Sequence, residues 1–264
     1  MITVNGHDVN IDSFPDGTIL MKQGLVFAPG VIIAWKYEND REFLALIYLV
    51  KHLRRLGYQT IDLVMPYIPN ARMDRVKNVD DVFTLKYFCE LLNDLELSSV
   101  TVLDPHSNVS EALIDNIIVK NPKKQIETVY NKLTADGLND ILLFYPDEGA
   151  CKRLSTLIKA PYAFGIKKRD WATGQILGLD VAGDIGYIAG RDILIVDDIC
   201  SRGGTFLHAA KKLKELGARN IYLYVSHCEN TILEGELLTS GLIERVFTTD
   251  SIFTASHRKV EVLK

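Results

Sequence analysis

The sequence predicts an α/β protein of two units, each with a mainly parallel central sheet flanked by helices. Three observations carry this expectation. Short apolar runs rich in β-branched residues alternate with stretches of helical spacing from Val31 to Val225. Several of those runs are continuously apolar, as strands covered on both faces are. The 264 residues also suit two domains better than one at the ~150 residues of a typical domain. A Lys-rich stretch, Lys120 to Lys124, marks the break, and the division is placed at 1–135 and 136–264.

The elements follow in order. ITVNGHDVNI alternates around Asn5-Gly6, the pair that favours a two-residue hairpin. Pro15-Asp16-Gly17 marks a turn before a short strand. Val31–Trp35 reads as a strand, Glu42–Leu56 as a helix, Ile61–Met65 as a strand and Pro66–Asn78 as a loop. Val82–Leu95 is predicted helical, and Val100–Leu103 is a strand ending at Asp104-Pro105-His106. In the second half, Ile141–Tyr145 and Tyr162–Ile166 are strands around a helix at Ala150–Lys159. The strand Ile193–Val196 leads through a Gly-rich turn into a helix from about Phe206 to Leu216. Gly217 ends that helix as glycine commonly does, and Asn220–Val225 is the next strand.

Composition narrows the function classes. At 47% hydrophobic and 24% charged residues, the chain is ordinary for a globular protein and unlike a disordered one. Thirty basic against 34 acidic residues, a net −4, give no basic excess of the kind that binds nucleic acid. The longest apolar stretch, Phe43–Val50, has eight residues, against the ~20 needed to span a bilayer. The opening MITVNGHDVNID has neither the basic nor the apolar part of a secretory signal. Cys89, Cys151, Cys200 and Cys228 show no CxxC spacing. Reduced thiols in a cytoplasmic protein are the expectation.

Chemistry is written most densely in ILIVDDICSRGGTF, Ile193 to Phe206. A buried strand delivers Asp197 and Asp198 at its carboxyl end, and Gly203, Gly204 and Thr205 then open a helix. Ligands of open α/β sheets bind at the carboxyl ends of strands. Glycines let backbone N–H groups approach a phosphate, and a helix N-terminus favours negative charge. Carboxylates beside an anion site repel it unless they hold sugar hydroxyls or a metal. The combination describes a ribose phosphate; a strand-end turn with solvated aspartates is the plainer reading.

This stretch resembles the PRPP-binding loop of phosphoribosyltransferase-fold proteins, and further segments make the chain similar to the ribose-phosphate diphosphokinase (PRPP synthase) family. SFPDGTI resembles that family's FPDGE, MPYIPNARMDR its PYxxYARQDR, and VTVLDPHS its TLDLH. YPDEGACKR resembles SPDxGGxKR, and GIKKR resembles DKRR. The matches keep the family's order over roughly residues 14–252.

The resemblance implies two phosphoribosyltransferase-like domains, the first binding ATP and the second the ribose phosphate. It implies that Mg²⁺-dependent transfer of the β,γ-diphosphate of ATP to the C1 hydroxyl of ribose 5-phosphate gives PRPP and AMP. Arg72 alone reads as a surface arginine, but the resemblance makes it an ATP ligand, with Asp74 beside it. His106 is otherwise a structural histidine; by resemblance it meets ATP phosphates or the metal. Phe14 is otherwise hairpin packing, and by resemblance lies against adenine across a subunit interface, with Asp16 assisting. Asp147 is either a helix N-terminal acid or, by resemblance, a ribose and metal ligand. Lys167 and Arg169, on alternate positions of an extended segment, are the implied catalytic pair, placed on a loop. Asp197, Asp198, Ser201, Arg202, Gly203, Gly204 and Thr205 are the implied acceptor site. A homo-oligomer of at least two copies follows from the adenine contact.

The chain also departs from the family. Its loop DDICSRGGT stands against DDxxDTxGT, with Ser201 for aspartate and Arg202 for threonine, a local swing of +2. A solvated arginine explains this blandly. An acceptor with more negative charge at its 5′ end, such as ADP-ribose, explains it more sharply. Thr18 replaces a glutamate and Met73 a glutamine. The stretches before FPDG and after Thr248-Thr249-Asp250 are shorter than the family's usual, so its assembly and allosteric control are not implied. A phosphoribosyltransferase and a non-catalytic synthase-like regulator are the competing readings.

Overall fold

The structure, a computed structural model, describes residues 1–24, 29–169 and 176–263; for 167–169 and 176–179 it describes the backbone only. The chain divides into Met1–Asn121 and Pro122–Lys264.

In the first unit, β1 (Ile2–Val4) and β2 (His7–Asp8) form the hairpin expected at Asn5-Gly6. Both turn residues have positive φ, 48° and 82°, which is the conformation that favours Asn-Gly. A second hairpin, β3 (Asn10–Ser13) with β4 (Ile19–Lys22), carries the Pro15-Asp16-Gly17 turn at its tip. Then follow β5 (Val31–Trp35), α1 (Asp40–Arg55), β6 (Ile61–Val64), α2 (Thr84–Asn93), β7 (Ser99–Leu103), α3 (Asn108–Leu113) and β8 (Ile117–Lys120). The six-stranded sheet runs β2-β1-β5-β6-β7-β8, parallel from β5 to β8.

Helix α1 forms because its apolar residues fall on one face. Ala45, Leu46, Leu49, Val50 and Leu53 are buried, the leucine and valine side chains each contributing about 1.5–3 kcal/mol if fully removed from water. Asp40 and Glu42 stand in its first turn and His52, Arg54 and Arg55 in its last, as the helix dipole favours. Trp35 fixes where this helix meets the sheet. Its ring stacks on Phe43 at 5.8 Å, and its indole N–H donates to the buried Glu42 carboxylate at 3.0 Å.

The second unit contains α4 (Lys123–Ala135), β9 (Ile141–Tyr145), α5 (Glu148–Leu154), β10 (Tyr162–Arg169), β11 (Ile176–Gly183), β12 (Asp192–Cys200), α6 (Gly204–Glu215), β13 (Ile221–Cys228), β14 (Arg245–Thr249) and β15 (Val260–Leu263). Its sheet runs β11-β10-β9-β12-β13-β14-β15, parallel apart from the β10–β11 pair. The continuously apolar β9 and the apolar run Ile193–Val196 of β12 lie in its interior, where both faces are covered.

Four expectations are corrected. The break at 135/136 moves to Asn121/Pro122, because α4 buries Ile126, Val129 and Leu133 in a core with β9 and β12 residues. The Lys-rich stretch therefore runs from the end of β8, at Lys120, into the start of that helix, at Lys123. The helix expected to reach Lys159 ends at Leu154. The strand expected to stop at Val196 continues to Cys200, so Asp197 and Asp198 lie within β12. Lys167 and Arg169 are on β10, paired to β11, with a register shift between Lys168 and Arg169; Lys167 is on a strand, not a loop.

Candidate active site

In the second unit the neighbouring strands β9 and β12 bring Asp147, Asp197 and Asp198 toward one edge of the sheet. Asp147 follows β9 and caps α5: its extended backbone lets Oδ1 accept from the Ala150 N–H at 2.9 Å. This is the helix N-terminal acid of the plainer reading, and it leaves the carboxylate at a strand end. One turn and a half later, α5 presents Arg153. Its Nη2 lies 3.2 Å from Asp198 Oδ1 and 3.7 Å from Asp197 Oδ1. Asp198 is buried, and its backbone N–H donates to Asp197 Oδ1 at 3.0 Å.

Burial, then the adjacent Asp198 carboxylate and the charge of Asp147, push the Asp197 carboxyl well above its ordinary range, while Arg153 opposes them. A group in this state takes up a proton or a cation readily. The sequence reading missed Arg153, although it stands in the YPDEGACKR motif. Its position in a helix gives no signal that its guanidinium meets the acid pair.

Beyond β12 the chain turns through Ser201 and Arg202 to Gly203, which is left-handed at φ +79°. A side chain there would meet Leu237 Cδ2 at 2.7 Å, so glycine is required by both conformation and space. Gly204 and Thr205 then begin α6, whose first turn carries no acidic residue. Its leading N–H groups suit an anion. Arg202 is exposed and donates to Glu234 Oε2 at 2.9 Å, which offsets part of the +2 swing. The backbone of Lys167 and Arg169 is on β10, beside β9; their side chains lie outside the described residues.

In the first unit, β6 and β7 are neighbours, so the loop after β6 and the Asp104-Pro105-His106 turn after β7 share the sheet's carboxyl edge. The Leu103 N–H donates to Pro66 O at 3.0 Å and ties the two together. Arg72 is exposed, whereas Asp74 is buried and accepts from Arg75 Nε at 3.0 Å. Asp104 has φ +42°, which throws the chain sharply from the strand toward His106. The Ser107 and Ser110 hydroxyls are buried with no hydrogen-bond partner among the described residues. At the tip of the second hairpin Phe14 is half exposed. Asp16 Oδ1 accepts from both the N–H and the hydroxyl of Thr18, at 3.0 and 2.7 Å, so Thr18 organises this turn internally. Those bonds hold the Asp16 carboxyl below its ordinary range.

The chain is similar to known proteins over most of its length. The ribose-phosphate pyrophosphokinase of Bacillus caldolyticus is 29% identical over 237 residues, 88% of this chain and 72% of its own length. Ribose-phosphate pyrophosphokinase 2 of Enterococcus faecalis is 28% identical over 230 residues, covering 84% and 68% of the two chains. The crystal structure of phosphoribosylpyrophosphate synthetase from Mycobacterium smegmatis superposes with a TM-score of 0.79 at 20% identity, over 97% of this chain and 85% of that one. The family model of the phosphoribosyl synthetase-associated domain matches residues 174–264. Over most of its length the chain is thus similar to ribose-phosphate pyrophosphokinases. Those relatives are diphosphate-transferring enzymes, and the chain shares the phosphoribosyltransferase-like fold of the synthetase structure. No described helix is long and apolar enough to cross a membrane, and the four cysteines are buried and form no disulfide.

Proposed function

We propose that the chain transfers the β,γ-diphosphate of MgATP to the C1 hydroxyl of ribose 5-phosphate, giving PRPP and AMP in the cytoplasm. One observation carries the reading: an acid pair on β12 is followed at once by a left-handed glycine and the N-terminus of α6. The carboxylates suit ribose hydroxyls, and the N–H groups suit the 5-phosphate.

In the reaction the C1 oxygen bonds to the β-phosphorus and the bond from that phosphorus to its α-bridging oxygen breaks. AMP leaves with the bridging oxygen, and the hydroxyl proton passes to solvent. Such transfer depends on positioning and charge neutralisation more than on covalent help. Lys167 and Arg169 would neutralise the moving diphosphate. Phe14, Asp16, Arg72, Asp74 and His106 would hold the nucleotide. Asp147, Asp197, Asp198, Ser201, Arg202, Gly203, Gly204 and Thr205 would hold the acceptor. A neighbouring copy's adenine would lie against Phe14, which makes the working form at least a dimer.

Among the described residues, no three His, Cys, Asp or Glu side chains gather to hold an ion. That suits Mg²⁺, which keeps waters and substrate phosphates and takes one or two protein oxygens. Asp147 offers such an oxygen. His106, a nitrogen donor, suits a phosphate contact better than this hard ion. Bound Mg²⁺ would neutralise phosphate charge.

A second reading is favoured by Arg202. An exposed guanidinium following Ser201 suits an acceptor whose 5′ end carries a diphosphate, as in ADP-ribose. AMP release from MgATP, followed by mass spectrometry with each acceptor, tests both readings. AMP with ribose 5-phosphate alone sustains the first, and AMP with ADP-ribose alone sustains the second. No AMP with either points to a non-catalytic regulator, and diphosphate-dependent base exchange to a phosphoribosyltransferase. In the active case Lys167→Ala should lower kcat by about 10²–10³, the usual loss for one such donor, with an unchanged thermal midpoint.

A further inference from the structure

We infer that residues Glu229 to Leu237 form a brace that sets the shape of the loop following β12, with Gly235 and Thr231 as its positioning residues. The inference rests on the acceptor-site reading of that loop. The segment leaves β13 at Cys228 and makes a short 3₁₀ turn over Asn230–Glu234.

Four successive loop residues each meet this segment. The Glu229 N–H donates to Cys200 O at 2.8 Å. The Thr231 hydroxyl donates to Glu229 Oε2 at 3.0 Å and lies 3.1 Å from Ser201 Oγ. Its one proton being given to Glu229, Thr231 is the acceptor from Ser201. Arg202 donates to Glu234. Gly203 packs on Leu237, which is fully buried, as is Ile232 in the 3₁₀ turn. Both residues by which this loop departs from the family pattern, Ser201 and Arg202, are thus held from the same segment.

Gly235 makes the closest approach. Its φ is −92°, a conformation open to any residue, so space and not backbone freedom demands glycine. A Cβ at this position would stand 1.9 Å from the Arg202 carbonyl oxygen and 2.8 Å from its carbon. Real Cβ contacts keep beyond 3.0 Å, so alanine would drive the loop away by about an ångström, a shift large enough to weaken binding by groups that the loop positions. The brace touches no substrate in this reading. It acts by fixing where the loop's N–H groups point.

The test combines kinetics with hydrogen exchange of the loop amides. Gly235→Ala should raise the KM for ribose 5-phosphate, or for ADP-ribose if that is the acceptor, by about tenfold or more, leaving kcat and the KM for ATP within about twofold. Exchange at 201–205 should accelerate about tenfold while the amides of β9 keep their protection. Thr231→Val should do the same more weakly, by about threefold, and Thr231→Ser should restore the wild-type values. If Gly235→Ala does not fold, the Thr231 pair carries the test. Unchanged loop exchange in both Gly235→Ala and Thr231→Val, or equal acceleration throughout the second unit, would overturn the brace. A wild-type protein that releases no AMP would instead remove the functional reading, and the exchange data would then decide the brace alone.

Discussion

Asp192 opens β12 with its carboxylate almost wholly out of solvent. It stays charged because Arg219 donates from Nε at 2.9 Å and also from Nη2, and Asn220 Nδ2 donates at 2.8 Å. These bonds, Arg219 first, hold its carboxyl below the ordinary range. A carboxyl depressed in the folded state stabilises the protein above the unfolded value of about 3.9, and that contribution fades as pH falls through the folded value. Asp192→Asn should cost about 1–3 kcal/mol at pH 7, measured by urea unfolding. The gap between wild type and variant should narrow as the pH is taken from 5 to 3. At the same scale, the motif alone marks Thr18 as a replacement for a glutamate, whereas in the structure its two bonds to Asp16 make it a turn-forming residue. The partner two residues away was legible in principle, since Asp and Thr in a Pro-Asp-Gly-Thr turn bond locally.

At the scale of elements, legibility followed the strength of the local pattern. The long amphipathic helices α1 and α6 and the strands β5 and β9 match the apolar runs that predict them, whereas β12 continues past its run to Cys200. Helix α4 was read as a break because its lysines dominate, yet Ile126, Val129 and Leu133 carry helical spacing. Its allegiance to the second unit gives a direct expectation. Leu133→Ala should cost about 2–5 kcal/mol, and hydrogen exchange should show β9 amides losing protection while those of β6 keep theirs. Short strands such as β8, β14 and β15 have too few residues for alternation to stand out. They exist because a neighbouring strand offers a ladder, which is a tertiary fact. The strand β10 runs past the apolar run that predicts it for the same reason: β11 pairs with Lys167 and Lys168.

At the largest scale the chain carries a six-stranded and a seven-stranded sheet besides the β3–β4 hairpin, with one core cluster around residues such as Leu63 and Val100 and another around Leu142, Ile195 and Leu223. Leu63 and Leu223 belong to different core clusters, so substitutions there should add. Leu63→Ala and Leu223→Ala should each cost about 2–5 kcal/mol, and the double variant should equal their sum within about 0.5 kcal/mol by chemical unfolding. A larger deviation would mean that the units are energetically coupled.

What the sequence by itself determined was whatever short-range chemistry specifies: the Asn-Gly hairpin, the buried strands, the acid pair on β12 and the glycine turn into α6. These depend on neighbours within a few residues, where steric and hydrogen-bonding preferences act directly. Only the tertiary structure decided that Arg153 reaches Asp197 and Asp198, that α4 packs with β9, and that Gly235 presses against the Arg202 carbonyl. Those contacts join residues far apart in the chain. They are selected by strand order and by the exclusion of water from a shared core, and neither is recorded in the local pattern of any one segment.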